Sequence, residues 1–264
     1  MKVVALGGGH GLAVTLTALR LLGVEPTAVV AVADDGGSSG RLRRDLGLLP
    51  PGDLRKALLA LADPAAEARE LFAYRFERGD LAGHNLGNLT IAALADLRGG
   101  FLEGLAAAAT WLRVRGRVEG VWLDPPRPDA VPAAVEAVRS ADLVLLGPGS
   151  TFTSVVPNLL VPELGRAVAA ASDRVVYVCN LEAQQGETSG FPPEGHLAAI
   201  LAHCPELRVA QVLCQQPSDA AAADREVRAF GELGARVVHA EVAAADAPGR
   251  HDPARLAAAL KELG

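Results

Sequence analysis

The sequence predicts an α/β fold on a mainly parallel, doubly wound sheet. Three observations lead there: short β-branched runs alternate with helical stretches, the runs end in glycine-rich turns, and one block in the first half is helical throughout. The first run, Val3-Val4-Ala5-Leu6, is followed by Gly7-Gly8-Gly9-His10-Gly11 and a helix over 12–22. A second strand, 27–33, runs into Asp34-Asp35-Gly36-Gly37-Ser38-Ser39-Gly40. Further strands are expected at 142–146, 174–179, 208–214 and 236–242, and further helices at 133–140, 155–171, 195–203, 220–233 and 253–263. From about 53 to 113 the pattern is helical only, in DLRKALLALAD, AAEARELFAYRF, GNLTIAALADL and FLEGLAAAATWL, which reads as an insertion packed beside the sheet. The prolines of DPPRPDAVP, 124–132, disfavour a strand interior and mark the connection back to α/β. The 264 residues, half of them apolar, thus read as a single Rossmann-like α/β domain, 1–264, with a helical insertion at about 53–113.

Composition excludes several classes of function. Net charge is −6 with a pI near 5.5, no basic run occurs and aromatics are few, so no nucleic-acid surface is expected. Cys179, Cys204 and Cys214 are odd in number and lack C-x-x-C spacing, which fits reduced, buried thiols in a cytosol. No segment approaches 18 uninterrupted apolar residues and the N-terminus enters a strand directly, so no membrane insertion and a cytoplasmic location are expected. A homo-oligomer is compatible with the sequence. The pattern G-x-x-x-x-G-K-[ST] is absent and Lys occurs only at 2, 56 and 261, against a P-loop NTPase.

Ligand-binding signals sit where strands end. In open α/β sheets that edge takes ligands, and glycines there let backbone N–H groups approach a phosphate while a following helix adds its dipole. Gly7, Gly8, Gly9, His10 and Gly11 form the first such loop, although Leu12 stands where a dinucleotide fingerprint has its third glycine. Asp34, Asp35, Gly36, Gly37 and Ser38 form the second; the two acids could bond ribose hydroxyls and loop N–H groups or help hold a divalent ion. Gly147, Gly149, Ser150 and Thr153 make a hydroxyl-rich strand-to-helix junction, a phosphate cradle or a helix cap. Asn180 ends the strand at 174–179, with Gly186, Glu187 and Thr188 in the polar loop beyond. In the helical block His84, Asn85 and Asn88 share a helix start and either face a ligand or cap the helix; Asp53 and Arg55 carry the same two readings. His10 is the one acid–base group beside the first loop.

Long motifs in collinear order give a further reading. DDGGSSGRLRRDLGLLPPGDLRKALLALAD, YRF at 74–76, GHNLGNL at 83–89, GPGSTFTSVVPNLL at 147–160 and YVCN with QQGET at 177–188 resemble the bacterial YvcK family, the gluconeogenesis factors. That family is related to CofD, the 2-phospho-L-lactate transferase of coenzyme F420 synthesis. The resemblance runs from Val3 to about Thr188 and is weaker beyond. It implies a Rossmann-like domain with a helical insertion, whose cleft binds UDP-sugars through the residues named above and Asn158 of the GPGSTFTSVVPNLL motif. A regulatory role in growth on gluconeogenic carbon sources and in cell shape is implied with it. The chain departs from the family after Gly116-Arg117-Val118, where it passes quickly to the proline-rich stretch. The alternative is a CofD-like transferase acting on the F420 precursor, for which Mg²⁺ would be held by Asp34 or Asp35 with Asp53; DDGGSSGRLR sides with YvcK. No cofactor is otherwise expected.

Overall fold

The computed structural model describes residues 1–32, 36–121 and 130–263. Its strands are β1 (Val3–Gly7), β2 (Thr27–Ala31), β3 (Arg117–Val121), β4 (Leu143–Leu146), β5 (Val175–Val178), β6 (Gln211–Gln215) and β7 (Arg236–Ala240). They form one seven-stranded sheet in the order β3-β2-β1-β4-β5-β6-β7, with every pairing parallel. Ala5 of β1 sits opposite Ala28 on one side and Leu145 on the other. A central strand covered by helices on both faces needs apolar residues at successive positions, which is why β1 and β4 read as unbroken VVAL and LVLL runs.

Successive side chains divide between two cores. Val3, Ala5, Val30, Leu145 and Val178 pack with α1 (Gly9–Leu21), α3 (Gly52–Leu61) and α12 (Pro253–Leu263). Val4, Leu6, Val29, Leu146 and Tyr177 face the other way, toward α7 (Pro132–Arg139), α9 (Pro162–Ala170) and α10 (Pro193–His203). Each fully buried leucine in these layers contributes about 1.5–3 kcal/mol of transfer free energy, so the sheet is the stable platform on which the loops are mounted.

The helices expected over 53–113 are present as α3, α4 (Ala68–Ala73), α5 (Leu86–Arg98) and α6 (Phe101–Trp111), and they extend the first of the two cores. Gly104 lets α6 lie on α5: a Cβ there would stand 2.7 Å from the Ala95 Cα. Five local features differ from the sequence reading. The helix α2 (Gly37–Leu46) starts inside the expected glycine loop, and α1 begins at Gly9 rather than 12. The strand expected to 33 ends at Ala31. The edge strand β3 was not anticipated, because RVEGV is short, partly polar and contains a glycine, and its pairing with β2 is what makes it a strand. The helix expected at 155–171 is broken into a π-helical turn (Thr151–Val155), α8 (Val156–Leu160) and α9, since Pro162 has no N–H to continue the ladder and holds Val161 extended.

Candidate ligand-binding site

From β1 the chain winds to β2 on one side, while β4 leads to β5 on the other, so the loops that leave β1 and β4 part and open a crevice between them. Gly11 brings the two loops together, for a Cβ there would collide with the Pro148 carbonyl. Over this crevice lies a cavity of about 610 Å³, whose wall includes His10, Gly11, Lys56, Gly149, Asn180 and Arg250. The N–H groups of His10 and Gly11, in the first turn of α1, have no acceptor among the described residues. Lys56, Arg69 and Arg250 set three cations against Glu182 in the same wall. Its volume lies within the range of small-molecule sites. Burial and the neighbouring Lys56 hold the His10 pKa below its ordinary value, so the imidazole is neutral near pH 7.

A second, smaller cavity of about 220 Å³ opens beside the first and shares Lys56 with it. Gly36, Gly37, Ser38, Ser39, Gly52, Arg55, Arg75 and Asn88 also line it. Arg55 is only 7% exposed; its Nε donates to Asn88 Oδ1 (2.9 Å) and its Nη1 to the Phe72 carbonyl (3.1 Å). Gly87 allows that approach, because a Cβ there would stand 2.6 Å from the Phe72 oxygen and 2.8 Å from Arg55 Cδ. Asp53 ties the start of α1 to Lys56, the residue both cavities share. One Asp53 oxygen accepts from the Gly9 N–H (2.9 Å) and the other pairs with Lys56 Nζ (2.9 Å).

The residues singled out in the sequence therefore fall into three groups. His10, Gly11, Gly149 and Asn180 line the larger cavity, and Gly36, Gly37, Ser38, Arg55 and Asn88 the smaller. Others hold the loops in place. Gly8 caps α1 against Ser154, and Gly7 and Gly147 end their strands. Asn158, fully buried, donates to the carbonyls of Ser154 (2.8 Å) and Gly7. Asn85 caps α5 by accepting from the Asn88 N–H, so at that position the helix-capping alternative is realised; His84 Nδ1 pairs with Ser38 Oγ (3.2 Å). The hydroxyl junction after β4 is filled from within the chain: Glu187 accepts from Ser150 Oγ and from the Phe152 N–H (2.8 Å), while Thr153 donates to Ser150 Oγ. Thr188 Oγ1 accepts from the Gln184 N–H and Gly186 N–H donates to Ser189 Oγ, which shapes that loop. Asp34 and Asp35 lie outside the described residues.

Asn180 is more than a wall. Its Oδ1 accepts from the Gly149 N–H (2.8 Å) and its Nδ2 donates to the Gly149 carbonyl (2.9 Å), a reciprocal pair that fixes the β4 loop against the end of β5. Sequence reasoning missed Lys56, Arg69, Glu182, Arg250 and His251, all of which line the larger cavity. Lys56 had a signal, three positions after Asp53 on one helix. Arg250 and His251 had none, since they arrive on the long loop after β7 and lie beyond every glycine-rich turn.

A family model described as 2-phospho-L-lactate transferase CofD matches residues 3–119 and 117–251. The chain belongs to the CofD family. Among curated members it is similar to gluconeogenesis factors: it is 40% identical, over 98% of this chain and 68% of the relative, to a putative gluconeogenesis factor of Nostoc sp.. With the gluconeogenesis factor of Bacillus subtilis the identity is 39%, over 76% of this chain and 74% of the relative. A crystal structure of a UPF0052-family protein from Bacillus halodurans superposes with a TM-score of 0.89 at 33% identity, covering 98% of both chains. The α/β architecture of this CofD-family chain, with its parallel sheet flanked by helices, is thus that of its structural neighbour. Among the described residues no helix is long and apolar enough to cross a membrane.

Proposed function

We propose that this CofD-family chain is a nucleotide-sugar-binding regulatory protein of the gluconeogenesis-factor type. In this reading a UDP-sugar occupies the larger cavity, in the cytoplasm, and the bound state influences growth on gluconeogenic carbon sources and cell shape. The observation that carries it is the 610 Å³ cavity at the point where the strand order reverses, with unbonded helix N–H groups, a neutral His10 and three cations in its wall. Diphosphate charge would meet Lys56, Arg250 and the start of α1.

The transferase alternative has less support. It calls for a divalent ion held by Asp34 or Asp35 with Asp53, and both Asp53 oxygens are engaged by Gly9 and Lys56. Thermal unfolding with a panel of UDP-sugars separates the two. A UDP-sugar at about 100 times its Kd adds about 2.7 kcal/mol of stability, EDTA leaves the shift unchanged, and Arg250→Ala weakens binding roughly tenfold through the lost charge-assisted bond. Multiple turnover of the F420 precursor with Mg²⁺, abolished by EDTA, would instead place the chain with the transferases.

A further inference from the structure

The smaller cavity concentrates cationic side chains. Arg55, Arg75 and Lys56 converge on it, and among the described residues no carboxylate lies within ion-pair distance of Arg55 or Arg75. Lys56 alone has a partner, Asp53. Burying an arginine without a counter-ion is costly. Burial, with Arg75 close by and against the opposing charge of Asp53, draws the Arg55 pKa down to about 10. Two of its nitrogens are spent on Asn88 and Phe72, and Nη2 has no protein acceptor among the described residues.

The remaining wall is also made of donors. The N–H groups of Gly37, Ser38 and Ser39 open the ten-residue helix α2, which carries no side-chain cap. Ser39 Oγ accepts from Asn88 Nδ2 (3.4 Å), which leaves its own proton available to the cavity. Arg75 Nη1 donates to the Gly83 carbonyl (2.7 Å), and among the described residues the rest of its fork meets no acceptor. A volume of about 220 Å³ suits a tetrahedral oxyanion with a small substituent and is too small for a nucleotide.

We propose that the smaller cavity is a second ligand site, for a phosphate-class oxyanion, distinct from the nucleotide-type site of the larger cavity. Arg55 and Arg75 bind it as a fork, and Ser39 with the first turn of α2 completes its coordination without a metal. The anion is either free phosphate or the phosphate of a small monoester; the chemistry of recognition is the same for both. Because this proposal goes beyond the UDP-sugar reading, it stands or falls on different measurements.

Calorimetric titration of the whole chain with inorganic phosphate, and separately with glycerol 3-phosphate, gives the test. Saturable binding is expected at low ionic strength, weakening with salt. Arg75→Gln, an exposed position that folding tolerates, weakens it roughly tenfold, whereas Arg250→Ala in the larger cavity leaves it unchanged. Tighter binding of the monoester would assign the site to esters, and equal or tighter binding of phosphate to the free ion. Protein saturated with phosphate should still take a UDP-sugar. No phosphate or ester binding, or binding that Arg75→Gln does not alter, overturns the proposal. Mutual exclusion of phosphate and UDP-sugar also overturns it, by making both cavities one site. Phosphate binding with no UDP-sugar binding would remove only the preceding functional reading.

Discussion

His251 shows how one residue ties the cavity to stability. It lines the larger cavity, its buried Nε2 has no partner among the described residues, and burial pushes its pKa down to about 4 against the opposing bond to the Cys179 backbone. The unfolded chain carries a histidine of ordinary pKa, about 6.5. Above that pH both states are neutral and His251 contributes nothing to the pH dependence. Between about 6.5 and 4 the unfolded chain takes up a proton that the native one refuses, so stability falls as the solution is acidified, by roughly 3 kcal/mol once both limits are passed. His10 and His196 are shifted in the same direction, chiefly by burial, and add to the slope. Urea denaturation of His251→Gln across this window should show a flatter acid limb than the unaltered chain; an identical slope would mean that His251 titrates normally.

At the scale of elements, α2 and α5 behave as a clasp around the smaller cavity. Ser38 of α2 accepts from the Asn85 N–H (3.2 Å), Arg41 donates to the Ala82 carbonyl (2.9 Å), and Asn85 caps α5 while its Nδ2 donates to the Ala73 carbonyl. Replacing Asn85 by Ala removes the cap and strands a buried N–H, at a cost of about 1–2 kcal/mol. For a chain of this size that lowers Tm by roughly 2–4 °C per kcal/mol. Thr110→Ala, which deletes only an exposed bond to the Ala106 carbonyl, serves as the comparison and should move Tm little. Equal Tm values for the two variants would deny Asn85 its capping role.

Over the whole molecule, the point of strand-order reversal and the helical block meet at Lys56. It stands on α3 and lines both cavities, and its pairing with Asp53 reaches back to the first turn of α1. Lys56→Met should therefore weaken UDP-sugar and phosphate alike, each by roughly tenfold for one charged contact. Stability should change by less than about 1 kcal/mol, because the Asp53 pair is partly solvated and Gly9 still bonds the carboxylate. Parallel calorimetric titrations of both ligands check this, and loss of only one would show that Lys56 serves a single cavity.

The order of strands and helices was legible because it rests on local pattern: β-branched runs at Val3–Leu6 or Val175–Val178, glycines where loops turn back, and a long block without a β-branched run. His10, Gly149 and Asn180 could be named for the same reason, as strand-end residues that a parallel sheet brings to one edge. Tertiary structure alone decided the rest. RVEGV becomes β3 only because β2 offers its edge, and Arg250 enters the cavity only because the loop after β7 folds back over the crevice. It also brought Glu187 to Ser150 and Phe152 from far along the chain, and it settled Asn85 as a helix cap, its backbone N–H held by the distant Ser38. The link between α1 and the residue both cavities share was hidden for the same reason: Asp53, paired with Lys56, accepts from the Gly9 N–H across 44 positions of sequence, and no local pattern records such a contact.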